Sequence, residues 1–275
     1  MYRKLPIVGA VLSLAIMLGI AAKWEILRRS VVGAAAVIAA TAALPFWRFS
    51  RVYRSSFAAT AGLFGQVGLT LALAVAGVMQ RFWRDPERVS PPGQGLVLSP
   101  ADGEVVYVRK VAAGATFVSK QGRDYRLDEL IGTNLMDCNT CVIGVGMTTL
   151  DVHVNRAPIA GQVQLVKHIG GGFMSLKRAE APFENERATT ILQGPDLDVA
   201  IVQVASRLVR RIETYFHEGQ TVMAGQRLGM IRFGSLVAVV LPEREDMQVQ
   251  VSAGDRVQAG VSVLARYAVT ARAAL

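Results

Sequence analysis

The sequence predicts a mainly β (α+β) protein, a barrel-like domain of short strands preceded by N-terminal transmembrane helices. Three observations predict it. Apolar runs fill the N-terminal region, at Pro6–Ala22, Val31–Trp47 and Phe57–Met79. From Asp85 onward the apolar stretches become short and alternating, with turn residues between them. Of the 275 residues, 52% are hydrophobic, which fits one membrane-embedded part plus one globular domain better than a single soluble domain.

The membrane-anchoring part is expected over residues 1–81, with two to three apolar spans. At 1.5 Å per residue the third run reaches about 34 Å and the first two about 25 Å each, against a hydrocarbon core of roughly 30 Å. Only the third is comfortably long enough. The other two could cross a thin bilayer or form a helical hairpin. Pro6–Ala22 could also be a signal peptide, since Arg3 and Lys4 precede it and the small residues Gly19 and Ala21 end it. Lys23, Arg28 and Arg29, then Arg48, Arg51 and Arg54, then Arg81, Arg84 and Arg88 flank the runs, so positive charge sets no orientation. The last three are expected nearest the bilayer, on acidic headgroups or as ordinary interfacial anchors. Thirty Lys and Arg against 21 Asp and Glu give a net charge of +9, which suits an anionic partner, either nucleic acid or an acidic lipid surface.

The second domain is expected over residues 82–275. Pro86, Pro91, Pro92, Gly93 and Gly95 make a stiff, turn-rich linker, followed by β-type runs at Gly103–Val111, Cys141–Met147, Gly161–Val166, Leu197–Val204 and Leu228–Phe233. One helix is predicted over Val204–Phe216, where Val204, Leu208, Ile212 and Phe216 recur every four residues and Arg207, Arg210 and Arg211 take the other side. Cys138 and Cys141, the only two cysteines, are too few for a disulfide framework and are read as small core residues in or beside a strand. The sequence also repeats itself. Gly219-Gln-Thr-Val-Met-Ala-Gly225 matches Gly254-Asp-Arg-Val-Gln-Ala-Gly260, and Pro100-Ala-Asp-Gly-Glu-Val105 echoes Pro158-Ile-Ala-Gly-Gln-Val163. These turns resemble those of lipoyl and biotinyl carrier domains, which implies a barrel built from related hairpins. They also leave open a membrane-tethered carrier or adaptor, although no lysine stands at the expected hairpin tip.

Three histidines occur. In "LDVHVNRAPIAG" alternation places Asp151, His153 and Asn155 on one face of a strand and Val152 and Val154 on the other. One face would thus gather a carboxylate and an imidazole, the side chain best suited to exchange a proton near neutral pH. A solvent-facing strand without a role is the plain alternative. His168 and His217 lack such neighbours and are read as structural. Asp102 precedes a glycine and by itself reads as a turn former. In "MIRFGSLVAVVLP" a Gly-Ser pair joins two strand-like runs with no ordinary turn, so Gly234 and Ser235 form either a β-bulge or a reactive bond.

"FWRDPER" at 82–88, "LSPADGEV" at 98–105, "LDVHVNRAPIAGQV" at 150–163, "ENERATTIL" at 184–192 and the stretch around "MIRFGSLVAVVLP" occur in order. Together they resemble phosphatidylserine decarboxylase in its short bacterial and archaeal form. The resemblance implies a pyruvoyl-dependent carboxy-lyase of phospholipid biosynthesis, made as a zymogen that cuts itself between Gly234 and Ser235. Ser235 would become the covalent pyruvoyl group, with a β chain before it and an α chain after it. No metal, diffusible cofactor or nucleic acid is implied. The substrate would be phosphatidylserine, decarboxylated to phosphatidylethanolamine through a Schiff base, or another serine phospholipid such as an archaetidylserine. The implied location is the inner cell membrane with the catalytic domain in the cytoplasm, and a homo-oligomer is left open. Ser235 matches the family's nucleophile, Asp102 the aspartate of its "ADG" motif and His153 the histidine of "D-x-H", with Asp151 expected to orient His153. Longer bacterial members carry a second histidine where this chain has Arg156, so both the base duty in self-cleavage and proton delivery in turnover fall to His153, with His168 the next candidate.

Overall fold

A computed structural model of the chain describes residues 4–23, 29–49, 55–120, 123–134, 138–206, 211–232 and 235–269. The chain divides into two compact units, Met1–Trp83 and Arg84–Leu275. The first holds three helices, α1 (Leu5–Lys23), α2 (Arg29–Phe49) and α3 (Ser56–Phe82). All three are long and apolar enough to cross a membrane. Length alone understated the second, because α2 continues beyond Val31–Trp47 at both ends and its 21 residues reach about 31 Å. Ser55 caps α3 by accepting the Ala58 N–H at 3.2 Å. The helix closes at Trp83, shortly before Pro86 disfavours helical backbone in its neighbour. Buried Gln66 of α3 donates to the Pro6 carbonyl of α1 at 2.8 Å, in space that Gly9 leaves open. Such small residues and interhelical polar bonds hold helices together in lipid, where apolar burial gives no drive.

The second unit comprises β1 (Leu96–Leu98), β2 (Gly103–Val111), β3 (Thr116–Lys120), β4 (Arg123–Arg126), α4 (Leu127–Ile131), β5 (Thr140–Met147), β6 (Val154–Arg156), β7 (Gly161–Ile169), α5 (Ala181–Glu184), β8 (Arg187–Gln193), β9 (Asp198–Val204), β10 (Ile212–Thr214), β11 (Thr221–Val222), β12 (Arg227–Ile231), β13 (Ser235–Pro242), β14 (Gln248–Val249), β15 (Arg256–Val257) and β16 (Val263–Arg266). The main sheet runs β11-β7-β8-β9-β13-β5-β2-β15 and curls into a half barrel. Its central strands are buried on both faces. Ile143, Ile201, Val237 and Val239 pack into one core. Val142, Val202, Leu236 and Ala238 pack into the other, with Phe117, Tyr125 and Phe183. Burial on both faces is why β5, β9 and β13 read as almost unbroken apolar runs.

The internal repeats become a near two-fold relation. β11 pairs with the start of β7, and β15 pairs with the start of β2. Val105 N–H donates to Asp255 O at 2.9 Å and Val163 N–H to Gln220 O at 2.8 Å; Gly254 N–H donates to Val105 O and Gly219 N–H to Val163 O, both at 2.8 Å. Gly219 and Gly254 turn with φ of +83° and +99°, which a side chain would oppose. The barrel-like expectation from the hairpins is met by two related halves that share one sheet.

The helix predicted over Val204–Phe216 is replaced by other structure. Val204 ends β9, Ile212 opens β10 and Phe216 lies in a loop, while residues 207–210, and with them Arg207, Leu208 and Arg210, lie outside those described. Val204 packs in one core and Ile212 and Phe216 in the other, so side chains entering different layers imitated a single helical stripe. Cys141 is buried in β5 as expected, but Cys138 is exposed just before it, so only one of the pair is a core residue.

Candidate active site

Gly234 lies outside the described residues, and Ser235 opens β13 opposite Met147. The run before the Gly-Ser pair and the run after it belong to different sheets. β12 sits between β10 and β6, whereas β13 is central in the main sheet between β9 and β5. The strands on either side of the pair therefore lie in different sheets, and the choice between a bulge and a reactive bond falls on Gly234, outside the described residues. Each side of the bond has its own hydrogen-bonded ladder, β12 with β6 and β10, β13 with β5 and β9.

His153 stands at this crossing. Its carbonyl accepts the Ile231 N–H at 3.2 Å, four residues ahead of Ser235, and its side chain is fully buried. Nδ1 lies 2.9 Å from the Asp151 carbonyl oxygen, which can only accept, so Nδ1 carries the proton and Nε2 is the basic nitrogen. Burial pushes the imidazole down to about 4, against that hydrogen bond and the negative charges of Asp151 and Asp102. His153 is thus neutral at pH 7.

Asp151 orients His153 through its main chain; its carboxylate is engaged elsewhere. One oxygen accepts Thr148 N–H and Oγ1–H, both at 2.8 Å, and the other accepts Arg256 Nη2–H at 2.5 Å. Burial would raise the Asp151 pKa, but these bonds hold it below the usual carboxylate range. The strand expected through 151–155 is only Val154–Arg156, because Asp151 closes a turn back onto Thr148. The solvent-facing alternative is also corrected, since Asp151, Val152, His153, Val154 and Asn155 are all buried.

Asp102 is more than a turn former. Arg88 grips it through two bonds, Nη1 to Oδ1 at 2.5 Å and Nη2 to Oδ2 at 2.8 Å, and Ala259 N–H adds a third at 2.8 Å. Arg88 was expected beside the bilayer, yet its side chain is only 10% exposed, too little to meet headgroups. Arg84 likewise turns into the domain, donating to Leu150 O at 3.1 Å. Arg156, where longer relatives are expected to carry a histidine, binds Asp85, Pro86 O and Gly225 O and remains a permanent cation. His168 and His217 are exposed, and His168 Nε2 lies 3.1 Å from Thr214 Oγ1, so neither joins the buried cluster.

The structure thus brings Asp102 and His153 within electrostatic range of each other beside the start of β13. Sequence reasoning missed Arg88 and Arg256. The repeats held a signal for two of these charges: Asp102 stands where the other half has Ala160, and Arg256 where it has Thr221.

A family model described as phosphatidylserine decarboxylase matches residues 75–265. A phosphatidylserine decarboxylase proenzyme of Azorhizobium caulinodans is 34% identical over 81% of this chain and 86% of its own length. One of Erythrobacter litoralis is 37% identical over 71% of this chain and 75% of its own length. A Methanothermobacter thermautotrophicus protein with the provisional name archaetidylserine decarboxylase proenzyme is 37% identical over 74% of this chain and 88% of its own length.

Proposed function

The chain belongs to the phosphatidylserine decarboxylase family, and from that membership we propose that it is a self-cleaving, membrane-anchored carboxy-lyase that converts phosphatidylserine to phosphatidylethanolamine and CO2. The observation that carries this reading is the buried, neutral His153 beside the end of β12, with Ser235 opening β13 in the other sheet. Three apolar helices would keep the enzyme at the membrane that holds its substrate, with the second unit on the cytoplasmic side.

Maturation is assigned to the chain's own residues. His153 Nε2 takes the Ser235 hydroxyl proton, and the Ser235 oxygen attacks the Gly234 carbonyl carbon, moving the acyl group from nitrogen to oxygen. Asp102 and Asp151 favour the transient imidazolium. Loss of the Ser235 α-proton then breaks the Cβ–O bond, which frees the Gly234 carboxylate; water enters at the α-carbon and ammonia leaves. A β chain of residues 1–234 and an α chain of residues 235–275 result. The separate ladders of β12 and β13 fit such a group, because both new ends would stay in place. When present, the pyruvoyl carbonyl supplies an electron sink for a primary amine substrate. Thereafter His153 Nε2 takes a proton from the substrate's ammonium group, which frees the amine to attack, and returns it to the headgroup carbon that has lost CO2.

Denaturing electrophoresis and a lipid assay test this reading. The wild-type protein should run as two chains and release CO2 from phosphatidylserine in mixed micelles, and Ser235→Ala should do neither. A wild-type protein that stays one band near 29.5 kDa would remove the proposal. The archaeal relative motivates one competing substrate, a serine lipid with ether-linked chains; a clear preference for it in the same assay would reassign the lipid and keep the chemistry.

A further inference from the structure

A second buried polar group lies against the start of β13, and self-cleavage does not use it. Asn155 on β6 and Gln203 on β9 are both fully buried. Gln203 Nε2–H donates to Asn155 Oδ1 at 2.8 Å, and Asn155 Nδ2 reaches the Met147 sulfur at 3.8 Å. Among the described residues Gln203 Oε1 has no hydrogen-bond partner. A buried amide oxygen without a donor opposes folding, and native proteins keep one where something else completes it.

The register shows what this oxygen is near. Met147 is the partner of Ser235 on β5, and Gln203 is the partner of Val237 on β9. Asn155 therefore bridges the two strands that flank β13 at its first residues. Gln203 stands one strand across and two residues along from position 235, a diagonal of about 7–8 Å that a long side chain spans.

The free valence is an acceptor, and the residues paired with Gln203 in register, Ala188 on β8 and Val237 on β13, offer it no side-chain donor. The phosphate and carboxylate of a serine phospholipid are acceptors too and would be repelled. The headgroup's primary amine is the donor, and it is the atom that must reach position 235. We propose that Gln203 is a substrate-binding residue whose Oε1 accepts an N–H of the lipid's amine, with Asn155 the positioning residue that fixes the amide. This rests on the decarboxylase reading above. A neutral acceptor suits an amine that must act as a nucleophile, because a carboxylate there would hold it as its ammonium ion, which has no lone pair with which to attack.

The test uses the full-length protein in detergent with two variants, Gln203→Met, which keeps size and loses the amide, and Gln203→Glu, which keeps an acceptor and adds charge. Three quantities are read: the fraction self-cleaved, the phosphatidylserine concentration in mixed micelles that gives half-maximal cyanoborohydride labelling of the α chain, and turnover. Gln203→Met should cleave as the wild type does but need about 10- to 100-fold more lipid for labelling, the effect of losing one hydrogen bond to a charged or polarised donor. Gln203→Glu should label at wild-type lipid concentrations but more slowly. Wild-type labelling of Gln203→Met overturns the inference, and so does a folded Gln203→Met that fails to cleave, which would put the amide in maturation. Should Gln203→Met misfold, Gln203→Glu decides, and labelling at the wild-type rate and concentration overturns it. Failure of the decarboxylase reading would appear separately, as a wild-type protein that neither cleaves nor labels.

Discussion

Replacing Arg88 by Met tests whether Asp102 is held by the segment that follows the last apolar helix. The pair is desolvated, with side-chain exposures of 10% and 11%. The substitution leaves the Asp102 carboxylate with the Ala259 N–H alone out of three donors. Removing one partner of a buried ion pair destabilises by about 3–5 kcal/mol. Each kcal/mol moves the melting temperature of a domain this size by roughly 2–4 °C, so Arg88→Met should lower it by ~10 °C. Adding Asp102→Asn in the same chain removes the stranded charge, and the double variant should be at least ~2 kcal/mol more stable than the two single effects predict in sum. Melts followed by far-ultraviolet circular dichroism in detergent, with the fraction self-cleaved read on the same samples, give both numbers. A melting temperature within about 2 °C of wild type, or additive single effects, would refute the pairing as the reason Arg88 is buried.

Other expectations are as direct. His153→Ala should leave the protein largely uncut on denaturing gels; full cleavage with normal turnover would move the base elsewhere. His153 also sets a pH dependence. Its folded pKa of about 4 lies below its ordinary 6.5, so between these values the unfolded chain binds more protons. The contribution is complete above pH 6.5 and is lost as pH falls toward 4, by about 3 kcal/mol in all. Melts of wild type and His153→Gln at pH 7 and pH 5 should show the gap narrowing, and a constant gap would mean that the imidazole is not buried as neutral. In β2 and β5, Tyr107 lies over Gly144, where an added Cβ would come within 2.4 Å of the ring. Gly144→Ala should destabilise by about 1–3 kcal/mol. Tyr107→Phe removes a buried hydroxyl that has no partner among the described residues, and denaturant titration should show it neutral or slightly stabilising.

Much of this was legible in the sequence, for identifiable reasons. The apolar helices announce themselves as unbroken apolar runs, and the two halves of the half barrel by their repeated glycine turns, because those features are local. Asp102, His153 and Ser235 stood out through motifs whose order along the chain carried the resemblance. What local pattern could not supply was the partner of each group. Arg88 pairs with Asp102 and Arg256 with Asp151 across 14 and 105 positions, and a basic residue just after an apolar helix otherwise reads as a headgroup anchor. The misread helix at Val204–Phe216 failed for a related reason: a four-residue spacing cannot reveal that successive side chains enter opposite layers. The change of sheet between β12 and β13 was obscured because both strands are apolar, and only their pairing partners separate the sheets.

The central claim is that the chain cuts itself before Ser235 and converts that residue. Intact-mass spectrometry of the purified protein tests it most directly. The account predicts a β chain ending at Gly234 and an α chain over residues 235–275 lighter than its encoded sequence by one ammonia. A single intact chain, or an α chain that begins with an ordinary serine, would contradict it.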